Sequence, residues 1–143
     1  MPTQPPAPAA AATRPAEDPA EVAARTAAER LGRTTVLFAY DDADLDDRAR
    51  RTLADVREQL ATVPGLVVRI EGHTDERGSE EYNLALGMRR AAAVQRHLVG
   101  QGIAPSRMTI VSLGEERPAV AGSDETAWSQ NRRAVFVVSS HAK

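Results

Sequence analysis

The chain contains no cysteine, which excludes disulfides, thiolate metal sites and a cysteine nucleophile. Aromatic residues make up 3% of its 143 positions and the formal net charge is −2. It therefore has neither the stacking platforms that hold single strands nor the basic field that gathers nucleic acid. Nucleic acid is not an expected partner. No apolar run approaches the roughly 20 residues that cross a bilayer as a helix. Nor do Met1, Pro2 and Thr3 open a basic stretch followed by an apolar one, as a secretory leader would. There is no GxSxG nucleophile elbow and no glycine-rich phosphate loop. The carboxylates at 41–47 sit together in a charged run with nothing to raise a pKa. The expectation is a binding protein without a cofactor, not an enzyme.

What is present suffices for one domain, since 42% of the residues are hydrophobic and the chain is too short for two comfortable cores. Residues 2–19 are rich in Ala and Pro and carry no helical or strand period, so they cannot offset their own ordering entropy. Residues 1–33 are expected to be a mostly disordered linker and residues 34–143 the domain. A short helix could begin at Asp18-Pro19 and run through Val22, Ala27 and Leu31 to Gly32.

Within the domain, a β-branched and aromatic run at 34–40 reads as a strand. After the acidic loop, Leu45, Ala49, Leu53, Val56 and Leu60 recur at helical spacing until Pro64-Gly65. A second strand covers 66–71. A long helix covers 79–99, ended by Gly100 and Gly102, and a third strand covers 108–113. A loop with Gly114, Pro118 and Gly122 leads through a turn near Asp124 to Trp128, and the last strand covers 134–139. The order β-α-β-α-β-β predicts an α/β (α+β) sandwich, a mixed sheet with helices packed on it and the last strand antiparallel.

One segment carries charge at a fixed spacing. Asp75 follows the second strand, and the next helix places Asn83, Leu86 and Arg90 on one face. Leu84, Met88, Ala91, Val94 and Leu98 form the apolar stripe, which leaves Arg90 at the edge of the packing surface. An acid and a base so placed suit a ligand bearing an ammonium beside a carboxylate. The plainer alternative is a structural ion pair, worth about 0–1 kcal/mol if exposed. Asn83 reads as a brace for the Asp75 loop, and His73 as a hydrogen-bonded residue shaping it. His73, Asp75, Glu76 and Glu80 include no tight histidine pair, so no metal site is expected. Trp128 reads as a packing anchor, and Asn131, Arg132 and Arg133 form a second polar cluster.

Three motifs occur in order: TDERGSEEYNLALGMRRA, VSLGEERPAV and SQNRRAVFVV. Together they resemble the OmpA-like peptidoglycan-binding domain over residues 34–139, closest to its peptidoglycan-associated lipoprotein branch. The resemblance implies that meso-diaminopimelate of the peptidoglycan stem peptide is held by Asp75 and Arg90, with Tyr40, Asp41 and Leu86 as further contacts. It also implies that Asn131 and Arg132 border the site, although pinning a loop is an equally open role for them. The implied partners are the cell wall and a TolB-like periplasmic β-propeller of a Tol-Pal-type system. The implied place is the periplasmic face of the outer membrane, reached through a lipid anchor upstream of Met1. Alternatives are the wall-binding domain of another OmpA-like protein, such as a flagellar stator or an outer-membrane barrel, or a peptidoglycan hydrolase.

Overall fold

The computed structural model describes residues 18–141, and these begin with a helix. In α1 (Pro19–Gly32) the Asp18 side chain accepts from the Ala20 amide at 2.9 Å and proline occupies the first turn, the arrangement that opens a helix without wasting a donor. Ala24, Ala27 and Leu31 of α1 join the main hydrophobic core. The expected boundary at 34 is therefore corrected for residues 18–33, which are packed rather than linker. The remainder of that expected linker, residues 1–17, lies outside the described residues.

After β1 (Thr35–Leu37) comes α2 (Asp47–Thr62), capped by the Asp46 carboxylate accepting from Ala49 N at 2.7 Å. Then β2 (Leu66–His73) leads to α3 (Glu80–Gly100), capped by Ser79 Oγ accepting from Tyr82 N at 3.0 Å. A 3₁₀ turn (Pro105–Arg107), β3 (Met108–Gly114), α4 (Glu125–Asn131) and β4 (Arg133–His141) complete the order. The expected turn near Asp124 is a helix of two turns, with Asp124 as its cap.

The sheet runs β1-β4-β2-β3. β2 and β3 are parallel, as a connection through a long helix permits, while β4 inserts antiparallel between β1 and β2. Ile70 stands opposite Ile110 on one side and Phe136 on the other. Alternate residues Leu66, Val68 and Ile70 of β2 and Ala134 and Phe136 of β4 meet Leu53, Leu60, Val94 and Leu98 of the helices, the period-2 face of a sheet closing on helical stripes.

One contact sets the rotation of α3. A Cβ on Gly72 would stand 1.7 Å from the carbonyl oxygen of Gly87, so strand and helix touch backbone to backbone, which only glycine allows. The face turned inward therefore carries Asn83, Leu86, Gly87, Arg90, Ala91, Val94 and Leu98. This corrects the expected stripe: Met88 is 39% exposed, Leu84 is half-buried, and Arg90 is 0% exposed instead of marginal.

Candidate functional site

β1 is shorter than the seven residues expected because its successors pair with side chains instead of a strand. Phe38 N still donates to Arg132 O at 2.9 Å, but the carbonyl of Phe38 accepts from Arg132 Nε at 2.9 Å. The carbonyls of Ala39 and Asp42 accept from Arg90 Nη2 and Nε at 3.1 and 2.8 Å. Arg90 Nη1 donates to the carbonyl of His73 at 2.9 Å. One buried guanidinium thus clips the loop after β1 to the end of β2, satisfying carbonyls that would otherwise be orphaned. Burial pulls the Arg90 pKa down to about 10, the Asp75 charge opposing it. It stays a cation at neutral pH.

Two of the five Arg90 N–H groups remain, and Arg90 lines a pocket with Tyr40, Asp41, Asp75, Asn83 and Leu86. The residues expected to touch a ligand are brought together there. Asp75 and Arg90 do not pair with each other. Asp75, 4% exposed, accepts at Oδ1 from Arg77 N and Nε at 3.0 and 3.3 Å, and at Oδ2 from Arg77 Nη2 at 2.8 Å. Arg132 Nη1, buried and without a hydrogen bond, lies 3.6 Å from Asp75 Oδ2. Burial raises the Asp75 pKa, but the hydrogen bonds and charge of Arg77 outweigh it, helped by Arg132, and hold the carboxyl below its usual value.

The rim is aromatic. The Arg77 guanidinium lies between the rings of Tyr40 and Trp128, 3.9 and 4.0 Å from their centroids, a stacked cation on two π faces. The Tyr82 hydroxyl donates to Asp41, which adopts a left-handed backbone with φ 57°. Asn83 Nδ2 donates to Glu115 Oε1 at 2.6 Å and weakly to the Asp75 carbonyl at 3.4 Å. It is thus tied mainly to Glu115 and only weakly to the Asp75 loop, while also lining the pocket.

The other expected residues stand behind the pocket. His73 shapes the loop through its carbonyl, not its ring as expected; Nε2 lies 3.4 Å from Glu71 Oε1 and neither ring nitrogen makes a hydrogen bond. Burial, then the charge of Arg133, pushes the His73 pKa down to about 4 against the pull of Glu71. Asn131 does not line the pocket: its Oδ1 accepts from Ala119 N and Val120 N at 2.7 and 3.0 Å, pinning that loop. Arg132 reaches Asp75 from the rear and ties down Glu125 at 3.0 Å, while Arg133 donates to the carbonyl of Arg117 at 2.9 Å.

Residues 37–132 match the OmpA family. The chain belongs to that family. A protein of Pseudomonas putida named peptidoglycan-associated lipoprotein is 54% identical over 100 residues, covering 70% of this chain and 60% of the relative. The crystal structure of the peptidoglycan-associated lipoprotein from Burkholderia pseudomallei matches with a TM-score of 0.72 at 42% identity, covering 74% of this chain and 90% of that one. The C-terminal domain of Helicobacter pylori MotB matches with a TM-score of 0.69 over 76% of this chain and 85% of its own, but at 17% identity it shares the fold alone. The matched stretch is 58–60% of the length of the first curated relatives.

Sequence reasoning did not single out four residues that line this pocket, Thr74, Arg77, Gly78 and Tyr82, of which Arg77 and Tyr82 bond its two carboxylates, Asp75 and Asp41. Arg77 and Tyr82 each left a signal. An acid with a donor amide two positions on forms an Asx turn, which carries the side chain of Arg77 back over Asp75, and Tyr82 sits one helical turn before Leu86 on the same face. No helix among the described residues is long and apolar enough to cross a membrane.

Proposed function

We propose that the chain is a non-covalent peptidoglycan-binding module whose pocket takes the end of the meso-diaminopimelate side chain in the stem peptide. The observation that carries this reading is the pairing of charges in one pocket, Asp41 and Asp75 with Arg77 and Arg90, beside the apolar walls of Tyr40 and Leu86. An ammonium and a carboxylate on one carbon meet both signs at once. Asp75 and Asp41 serve the ammonium. The two Arg90 N–H groups not spent on carbonyls serve the carboxylate, a charge-assisted contact of the stronger kind. Tyr40 and Leu86 flank the methylenes. Asn83, His73, Asn131 and Arg132 hold the walls in place. The names of the relatives from P. putida and B. pseudomallei support the same reading.

In this reading the module tethers the outer membrane to the wall from the periplasmic side, through a lipid anchor beyond the described residues, within a Tol-Pal-type system. A TolB-like β-propeller is its protein partner and competes for the loops around the pocket. The expected result is that the protein sediments with purified sacculi and is released by a soluble meso-diaminopimelate tripeptide. Failure to sediment, or to be released, would overturn the reading. Saturating tripeptide is also expected to weaken a complex with the propeller, and unchanged affinity would contradict a shared surface.

A further inference from the structure

We propose that Arg77 is an internal cation that occupies the ammonium position at Asp75 and thereby sets which ligands the pocket admits. This inference rests on the diaminopimelate reading of the same pocket and adds a specificity-determining residue to it. Asp75 is nearly enclosed, and both its oxygens already accept from Arg77. A ligand ammonium reaches Asp75 only where the Arg77 side chain lets go. The pocket volume agrees, at about 50 Å³, room for a few water molecules rather than for a carbon bearing two charged groups.

Arg77 has the means to move. It precedes Gly78, which has φ 104°, in the loop between β2 and α3, and its side chain is partly exposed while that of Asp75 is buried. Glu125 Oε1 lies 3.9 Å from Arg77 Nη2 and offers a second acceptor. The rings of Tyr40 and Trp128 keep the cation stacked on both faces once Asp75 is released. The exchange is cation for cation, so the charge at Asp75 stays balanced throughout. It also discriminates. A ligand with only an ammonium breaks the Asp75–Arg77 pair and offers Arg77 nothing, whereas the carboxylate of a zwitterion has two oxygens, one for Arg90 and one for the Arg77 guanidinium that the ligand displaces.

The test is calorimetry on the wild type and on Arg77→Met, which keeps an unbranched stem between the two rings. The ligands are a tripeptide ending in meso-diaminopimelate and the same tripeptide ending in lysine. Arg77→Met is expected to bind the lysine tripeptide about three- to tenfold more tightly than the wild type does, and to gain less for the diaminopimelate form. Equal or weaker binding of the lysine tripeptide by a folded variant would overturn the inference. A wild type that binds neither tripeptide would overturn the functional reading instead. A second measurement needs no variant. The ¹⁵N signal of Arg77 Nε in the wild type is expected to shift on saturation with the diaminopimelate tripeptide, and an unmoved signal would overturn the exchange.

Discussion

Arg90 joins structure and site in a single side chain, and that decides how it can be tested. Its three bonds to the carbonyls of Ala39, Asp42 and His73 mean that truncation leaves buried acceptors unsatisfied, each a cost of about 1–3 kcal/mol. A loss of binding in such a variant would not separate recognition from folding. His73 offers a cleaner residue-level prediction. Its folded pKa of about 4 lies below its ordinary 6.5, so between those values the unfolded chain binds more protons than the folded one. The stability tied to His73 is present above pH 6.5 and falls as the pH is lowered towards 4, by about 3 kcal/mol. Urea unfolding followed from pH 7 to pH 4 is expected to show this slope, and His73→Met to flatten it. An equal slope in the variant would place the titration elsewhere.

At the scale of elements, the approximate extents of α2 and α3 were legible and the orientation of α3 was not. Asp46 and Ser79 stop the backbone donors of α2 and α3 near where the sequence places their starts. In α3, however, Leu84, Leu86 and Met88 are all apolar, and hydrophobicity cannot choose among faces that differ by one or two residues. The choice is made by Gly87 against Gly72, a signal of size rather than of polarity, and it buries a charged residue that polarity alone would leave outside. Gly72→Ala is therefore expected to push α3 off the sheet. It should cost more than about 2 kcal/mol in chemical unfolding and weaken ligand binding with it. A neutral Gly72→Ala would refute the close approach. α4 was read as a turn because it is only 7 residues long and follows Gly122 and Ser123. For α1, the start at Asp18-Pro19 and the stop at Gly32 were legible, but its docking was not: the domain was expected to begin at 34, yet Leu31 is fully buried. Leu31→Ala is expected to destabilise the domain by about 2–5 kcal/mol, and a change within experimental error would return α1 to the linker.

For the whole molecule, the sheet and its helices hold in one place the ends of β1, β2 and β3 and the first turns of α3. The Thr74 amide donates to the Gly114 carbonyl at 2.8 Å, so even the loop carrying Asp75 is fastened to the next strand. The alternation of strands and long helices was legible from pattern, and the meeting of Tyr40, Asp41, Asp75, Leu86 and Arg90 in one pocket from resemblance. The arginine pairing of Asp75 was not, because it depends on Arg77 folding back over its own turn. The account's central claim is that the pocket reads an ammonium and a carboxylate together. The most direct measurement is the affinity of the wild-type protein for two soluble stem peptides that differ only in ending with meso-diaminopimelate or with lysine. The lysine form leaves the Arg90 guanidinium facing an empty position in a partly desolvated site. Leaving a buried charge unpaired costs at least about 2 kcal/mol, so a preference of roughly thirtyfold or more for the diaminopimelate form is predicted. Equal affinity for the two peptides would contradict the claim, even if the protein still sedimented with whole sacculi.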